Sequence, residues 1–319
     1  MRPLCVLLMV VLIGTVSLAQ DKPLSQAELA KLPMYERMLK GAAAEKAADL
    51  DNKIAIAELL GWVEQAVKLR EEVVALRTRI QGADHWEVVD ERVFLKTLRT
   101  LDATGRRDWR TARQANAKGE QLNTQGRYVE AAPLLQKALD INRKVLGEDH
   151  PDTAMSYSNL AYNLQAQGKA AEAQPLLQKA QAIFRKVLGE DHPATATSYN
   201  NVAYNLQAQG KVTEAQPLFQ KALDIHRKVQ GENHPATATS YGNLAMNMNA
   251  QGKAPEAQPL LQQTLDISRK VLGENHPHTA TSYNNVAYNL QSLGKAAEAQ
   301  PLSEKALEIR LKVLGEDHP

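Results

Sequence analysis

Apolar side chains in the second half of the chain recur at the spacing of helical faces. Between residues 154 and 195 a first set stands at i, i+3, i+4 and i+7, namely Tyr157, Leu160, Ala161 and Leu164. This spacing predicts a short helix that Gly168 ends. A second set predicts a longer helix that Gly189 and Pro193 close: Ala173, Leu177, Ala180, Phe184, Val187 and Leu188. The segment is therefore predicted to form a helical hairpin.

The whole pattern returns at a fixed period. The dipeptide His-Pro recurs every 42 residues, at 150–151, 192–193, 234–235, 276–277 and 318–319. A fixed period of this length is typical of repeat architectures, in which each unit packs on its neighbours. Five units are predicted, beginning at Ala112, Ala154, Ala196, Ala238 and Ala280.

Small residues distinguish among the helical repeats with such a period. Ala161, Gly168, Ala173 and Ala180, with Leu160 and Leu177 as larger partners, resemble the pattern of tetratricopeptide repeats rather than HEAT or armadillo units. The longer unit, its Val-Leu-Gly-Glu-Asp-His-Pro linker and its Asn-Leu-Ala run resemble the kinesin light chain subtype. That subtype also occurs in bacterial multidomain proteins, often before a CHAT-type peptidase. The resemblance covers residues 112–319 and implies an all-α, right-handed α-solenoid, a superhelix of helical hairpins.

The N-terminal part of the chain follows the repeat pattern less closely. Residues 20–111 are predicted to be a helical region that precedes the array. Within it, residues 76–86 resemble the end of a unit with Trp86 in place of proline. We interpret residues 57–86 as a degenerate repeat half, followed by an irregular helical connector to about Arg110.

The first residues have the features of an export signal. Arg2 precedes an apolar run from Leu4 to Ile13, and residues 17–19 are Ser-Leu-Ala. This order predicts a signal peptide over residues 1–19 and cleavage before Gln20. The mature protein is expected to be secreted or periplasmic and free of the membrane; an uncleaved membrane anchor is the alternative.

Composition excludes several classes of function. The chain has 38 Lys and Arg residues against 36 Asp and Glu residues, so no net field favours nucleic acid or an anionic membrane. Cys5, the only cysteine, lies in the predicted signal, which leaves the mature chain without thiol chemistry. Histidines of the His-Pro turns are too far apart to share a metal ion. Since no catalytic or phosphate-binding motif stands out, we expect neither cofactor nor enzymatic activity.

The resemblance implies a concave wall lined by the first helix of each unit. Its predicted peptide-binding residues are Asn159, Tyr162, Asn200, Asn201, Tyr204, Asn243, Met246, Asn284, Asn285 and Tyr288. Asparagine amides both donate to and accept from a peptide backbone, and tyrosine is favoured at binding hot spots. Alternatively, these asparagines bond neighbouring helix termini and the tyrosines fill gaps between units. Only Arg113 and Glu120 are predicted to bring charge to the wall.

Two functions follow from this pattern. The first is a protein-protein interaction scaffold that binds an extended, weakly charged peptide segment of an unidentified partner. The second is the recognition arm of a longer effector protein, such as a CHAT-type peptidase. The sequence ends at 318–319, where another first helix would begin. A reading frame that continues there would favour the second function, whereas one that stops there would favour a scaffold whose last unit can associate with a second copy.

Overall fold

The computed structural model describes residues 25–314 as helices and turns, without a strand in that range. The predicted signal peptide lies outside these residues. Two short elements come first, α1 (Gln26–Leu29) and a 3-10 helix (Met34–Glu36). The longer helices are α2 (Gly41–Leu60), α3 (Val63–Gln81), α4 (Trp86–Thr100), α5 (Ala103–Thr124), α6 (Tyr128–Leu146), α7 (Pro151–Ala166), α8 (Ala170–Val187), α9 (Pro193–Ala208), α10 (Val212–Gln230), α11 (Pro235–Ala250), α12 (Ala254–Leu272), α13 (Pro277–Ser292) and α14 (Ala296–Leu314).

From α5 onward the helices form consecutive antiparallel hairpins. Each helix packs on the next, and first helices of adjacent units also touch, as α7 does with α9. Alanines at the crossings, among them Ala161, Ala173 and Ala180, are at most 1% exposed. Small side chains there let the helix backbones approach closely and larger neighbours fill the notch. The predicted all-α solenoid of helical hairpins is thereby confirmed.

The histidines of the His-Pro turns act as helix N-caps. Nδ1 of His192 accepts a hydrogen bond of 3.1 Å from the backbone N–H of Ala194, while Pro193 is the first helical residue. An N-cap satisfies a backbone donor that has no partner inside the helix, and proline at that first position costs no hydrogen bond. The other histidines that do the same are His85, His150, His234 and His276.

A second repeated cluster joins each turn to the next first helix. The carboxylate of Glu190 accepts hydrogen bonds from the Tyr199 hydroxyl at 2.7 Å and from Arg185 Nε at 2.9 Å. Burial and this carboxylate raise the pKa of Tyr199 to about 12, so the phenol stays a donor. Because the same three residue types recur at each period, the turn is held in one geometry along the array.

Buried asparagines connect each first helix to the unit before it. Nδ2 of Asn205, for example, donates to the carbonyl of Ala170 at 2.9 Å. Its fully buried counterparts are Asn163, Asn247 and Asn289. These amides satisfy backbone carbonyls or side chains of the preceding unit, which is a stacking role.

The N-terminal region is helical, but its boundaries differ from the predicted ones. α2 and α3 pair as a hairpin that ends in the turn before α4. No irregular connector reaches Arg110, because α5 already begins at Ala103. The side chain of Asp102 caps it by accepting from the N–H of Gly105. The predicted boundary at residue 112 therefore falls inside a continuous helix.

The same region packs along the row of turns between repeat units. Met34 contacts the buried cluster of Tyr199 and Val229, and the aromatic ring of Tyr35 lies against Gly231. At the turn that follows unit 1, Thr97 Oγ1 of α4 lies 2.8 Å from His150 Nε2. Residues far apart in sequence thus fasten the N-terminal region to units 1 to 3.

Candidate binding groove

The first helices α7 and α9 enclose a cavity of about 700 Å³ on the predicted concave wall. Its lining includes Met155, Ser158, Asn159, Tyr162, Gln165, Ala166, Thr197, Asn201, Tyr204 and Ala208. The residues of α7 in this set all lie on one helical face. We call this cavity the amide groove, because its polar groups are neutral amides and hydroxyls.

The structure places most of the predicted binding residues where solvent reaches them. Tyr162, Tyr204 and Tyr288 are 55%, 46% and 51% exposed. Asn284 is also exposed, whereas the remaining members are half-buried: Asn159, Asn201, Asn243, Met246 and Asn285. Their exposure makes them accessible to a ligand, and peptide binding by these residues stays a prediction.

The structure removes Asn200 from the predicted set of peptide-binding residues. It is 7% exposed, and its Nδ2 donates to Ser240 Oγ of the next unit at 3.3 Å. Position 200 precedes the groove position 201 and is rotated by about 100° around the helix, which turns it toward the neighbouring hairpin. Asn200 therefore belongs to the packing between units.

Several wall groups have no hydrogen-bond partner among the residues that the structure describes. Among residues 25–314, the structure gives no hydrogen bond to the amides of Asn201 and Asn285 or to the hydroxyls of Tyr162 and Tyr288. Others are engaged, since Tyr204 donates to Asn243 Oδ1 at 2.6 Å and Asn159 donates to Glu120 at 2.5 Å. The wall thus combines two internal pairs with polar groups open to a ligand.

A second cavity of about 620 Å³ lies beside the first turns of α5. Its lining combines apolar groups from α3 to α5 with guanidinium groups and with one acidic residue, Glu58 of α2. The apolar members include Val63, Ala66, Phe94, Leu98, Ala103 and Trp109, and the arginines are Arg106, Arg107, Arg110 and Arg113. We call it the arginine pocket. Arg113 and Ala117 line both this pocket and a small cleft that shares Met155 with the amide groove. The two cavities are therefore neighbours on one surface.

Sequence reasoning identified only Arg113 of this arginine set. It placed the residues before Arg110 in an irregular helical connector and assigned them no face. The signal was present, because Arg106, Arg110 and Arg113 stand at i, i+4 and i+7 after a capping aspartate. Extending the helix back to Ala103 would have put all three on one face.

Other kinds of site find no support in the part of the chain that the structure describes. No group of three or more His, Cys, Asp or Glu side chains there could hold a metal ion. None of the helices between residues 25 and 314 combines the length and apolar character needed to cross a membrane. The two cavities remain the candidate sites.

An α-solenoid with a groove along its first helices defines a class of non-catalytic binding scaffolds. The tetratricopeptide repeat family model matches residues 110–169, 154–206, 195–267 and 241–312. The chain belongs to the tetratricopeptide repeat family. A comparison with curated proteins finds no match.

Solved structures place the chain near kinesin light chain-like repeats. A Podospora anserina protein described as a kinesin light chain with nearly identical TPR-like repeats is 33% identical, with a TM-score of 0.54. The match covers 64% of this chain and 97% of that one. BtubC from P. vanneervenii is 18% identical over 88% and 95% of the two chains, with a TM-score of 0.53. Rap protein complexed with competence and sporulation factor is 15% identical over 86% and 77%, with a TM-score of 0.58. The last two share the fold alone.

Proposed function

We propose that the protein is an interaction scaffold that binds an extended peptide segment in the amide groove. The observation that carries this proposal is the set of wall groups that have no hydrogen-bond partner within residues 25–314, represented by Asn201 and Tyr162. Stacking between units is performed by other asparagines, such as the fully buried Asn205. A wall amide with no structural partner is free to pair with a peptide backbone.

The chemistry of the groove indicates what it accepts. No charged side chain lines the cavity between α7 and α9. Its aromatic groups, Tyr162 and Tyr204, offer apolar surface with one polar end each. A peptide here would be read through its backbone and apolar side chains, so its binding would change little with ionic strength.

A peptide array tests the groove directly. Amidated peptides of about twelve residues, long enough to cross several units, are screened on the full chain. We expect Asn201→Ala with Asn243→Ala to abolish capture while circular dichroism stays unchanged. The matched control, Asn233→Ala with Asn275→Ala, removes two exposed asparagines of the turns and should keep capture. Capture that survives the groove variant, or that disappears between low and about 0.5 M salt, contradicts the proposal.

Three broader roles are part of the same proposal. The scaffold acts outside the cytoplasm, which N-terminal sequencing of the exported protein would test by finding Gln20 first. It serves alone or as the recognition arm of an effector such as a CHAT-type peptidase, and the downstream reading frame decides between these.

Self-association would use the exposed apolar side chains Leu307, Leu311 and Val313 of α14. Sedimentation of Leu307→Glu that matches the unmodified chain would exclude that contact.

A further inference from the structure

The arginine pocket departs from the repeat. Residues 103–108 of α5 correspond to residues 145–150 of the next unit, which are the end of α6 and the turn before α7, so the first turns of α5 are an addition to the repeat pattern. Arg110 corresponds to Asp152 and Ala194 in the following units, and Arg113 corresponds to Met155 and Thr197. A stacking role would recur at each period. These arginines do not recur, so their role is specific to the N-terminal end of the array.

The positive charge of the pocket is only partly balanced within the protein. Glu58 is paired with Arg70 at 2.8 Å, and Arg70 also reaches Glu91 at 2.7 Å. Within residues 25–314, neither Arg110 nor Arg113 has a carboxylate oxygen within 4.0 Å. The single side-chain hydrogen bond of Arg110 in this described range goes to the backbone carbonyl of Glu58, at 3.4 Å. Two exposed guanidinium groups therefore keep their donors available.

Beside its arginines the pocket also presents apolar and aromatic groups. The guanidinium carbon of Arg113 lies 5.6 Å from the ring centre of Phe94 and 5.5 Å from that of Trp109. Leu98 and Ala66 are buried members of the same lining. A volume of about 620 Å³ lies within the range of small-ligand sites, which combine apolar walls with a few oriented polar groups.

The chemistry of this lining selects a carboxylate that carries an apolar group. Guanidinium groups pair with carboxylates through two parallel hydrogen bonds, a geometry that lysine does not offer. Two unpaired arginines beside aromatic walls thus fit an anionic head with a hydrophobic body. A neutral amide of the same shape would leave both guanidinium charges unmatched.

The position of the pocket identifies the source of that carboxylate. Arg113 and Ala117 line both the pocket and the cleft that leads through Met155 to the amide groove. We propose that the arginine pocket binds the C-terminal residue of the peptide whose preceding residues lie along the amide groove. The peptide then runs with its C-terminus at unit 1. This inference rests on the proposed function for the rest of the peptide.

A short probe tests the pocket independently of the groove. Binding of N-acetyl-phenylalanine and of its amide to the full chain is measured by ligand-detected NMR. We expect the acid to bind at least about ten-fold more tightly than the amide, because charged hydrogen bonds are the strong ones. Equal binding of the two compounds, or no binding of the acid, overturns the inference and leaves the groove proposal intact.

Matched variants assign the effect to the two arginines. Arg110→Gln with Arg113→Gln should weaken binding of the acid about ten-fold or more. Lys68→Gln with Arg79→Gln removes two charges from exposed side chains of α3 outside the pocket lining, and should leave it within about two-fold. If both pairs of substitutions act alike, only the net charge matters and the site is excluded.

A peptide comparison tests the source of the carboxylate. Peptides captured in amidated form are synthesised again with a free C-terminus. We expect the free form to bind at least about ten-fold more tightly, and this gain to vanish in Arg110→Gln with Arg113→Gln. If the free acid probe binds but no peptide gains from its carboxylate, the pocket holds a small acid, and the assignment to a peptide end is wrong.

Discussion

At the scale of single residues, the repeat tolerates different solutions to one packing problem. His226 is 3% exposed, and its Nδ1 lies 2.8 Å from Ser240 Oγ. Two units earlier Asn142 occupies the same position and donates to Ser156 Oγ at 2.9 Å. Asparagine is therefore a replacement for the buried histidine that already occurs at this position in another unit.

This histidine makes stability depend on pH. Burial lowers the pKa of His226 to about 4 from its usual 6.5. Between those values the unfolded chain binds a proton that the folded chain excludes, so stability is lost as pH falls from about 6.5 toward 4. The shift corresponds to roughly 3 kcal/mol.

We expect His226→Asn to reduce the acid sensitivity of unfolding. Urea unfolding at pH 7 and at pH 4.5 should differ less in the variant than in the unmodified chain, by about 2 kcal/mol. His278→Asn is the control, since that imidazole is exposed. A pH dependence that His226→Asn leaves unchanged would show that the imidazole is not buried in its neutral form.

At the scale of helices, the space around a small residue at a helix crossing depends on the side chain that faces it from the neighbouring helix. Gly119 and Gly242 both lie inside first helices, where glycine costs backbone entropy. A Cβ added at Gly242 would lie 3.5 Å from Thr264 Cγ2, which is an ordinary contact. At Gly119 it would lie 2.5 Å from Leu135 Cδ2 and 2.7 Å from Leu135 Cγ, which is an overlap.

The same substitution should thus have opposite effects at the two glycines. We expect Gly242→Ala to stabilise the array by about 0.5–1 kcal/mol, because it removes the entropy cost. Gly119→Ala should destabilise it by about 1–3 kcal/mol through overpacking. Denaturant midpoints of the two variants measure this. A stabilising Gly119→Ala would mean that Leu135 moves aside freely.

At the scale of the whole molecule, the N-terminal region adds contacts that a simple array of repeats lacks. Solenoid units normally contact only their neighbours along the chain. Here Met34 packs against α10, and Tyr35 lies against Gly231, nearly 200 residues further along the sequence. Arg37 secures this segment by donating to Asp84 Oδ1 at 2.8 Å. Units 1 to 3 should therefore open together with the N-terminal region.

Native-state hydrogen exchange tests this coupling. We expect Met34→Ala, which removes a half-buried side chain, to cost about 1–2 kcal/mol and to speed exchange in α10. Exchange in α13 and α14 should not change, because Met34 packs on the buried cluster of α9 and α10. Met38→Ala, at a side chain 40% exposed, is the matched control. Uniform acceleration over the whole array would argue against a local contact.

Local sequence determined the repeat itself. The period, the two helices of each hairpin, the glycine stops and the alanine notches follow from short-range spacing, because helix periodicity and capping act within a few residues. The same spacing placed Asn201 and Tyr204 on the wall. It could not separate them from Asn200, because Asn200 is buried by the next hairpin and spacing within one helix does not show where that hairpin packs.

Tertiary structure decided what depends on residues far apart in the chain. The attachment of Met34 to α10 has no sequence signature, because an irregular segment carries no period to read. The arginine pocket likewise exists only where α3 and α4 bring Val63 and Phe94 to the arginines of α5. Sequence thus fixes each hairpin through short-range contacts, whereas contacts between distant segments form the pocket and decide which wall groups remain open to a ligand.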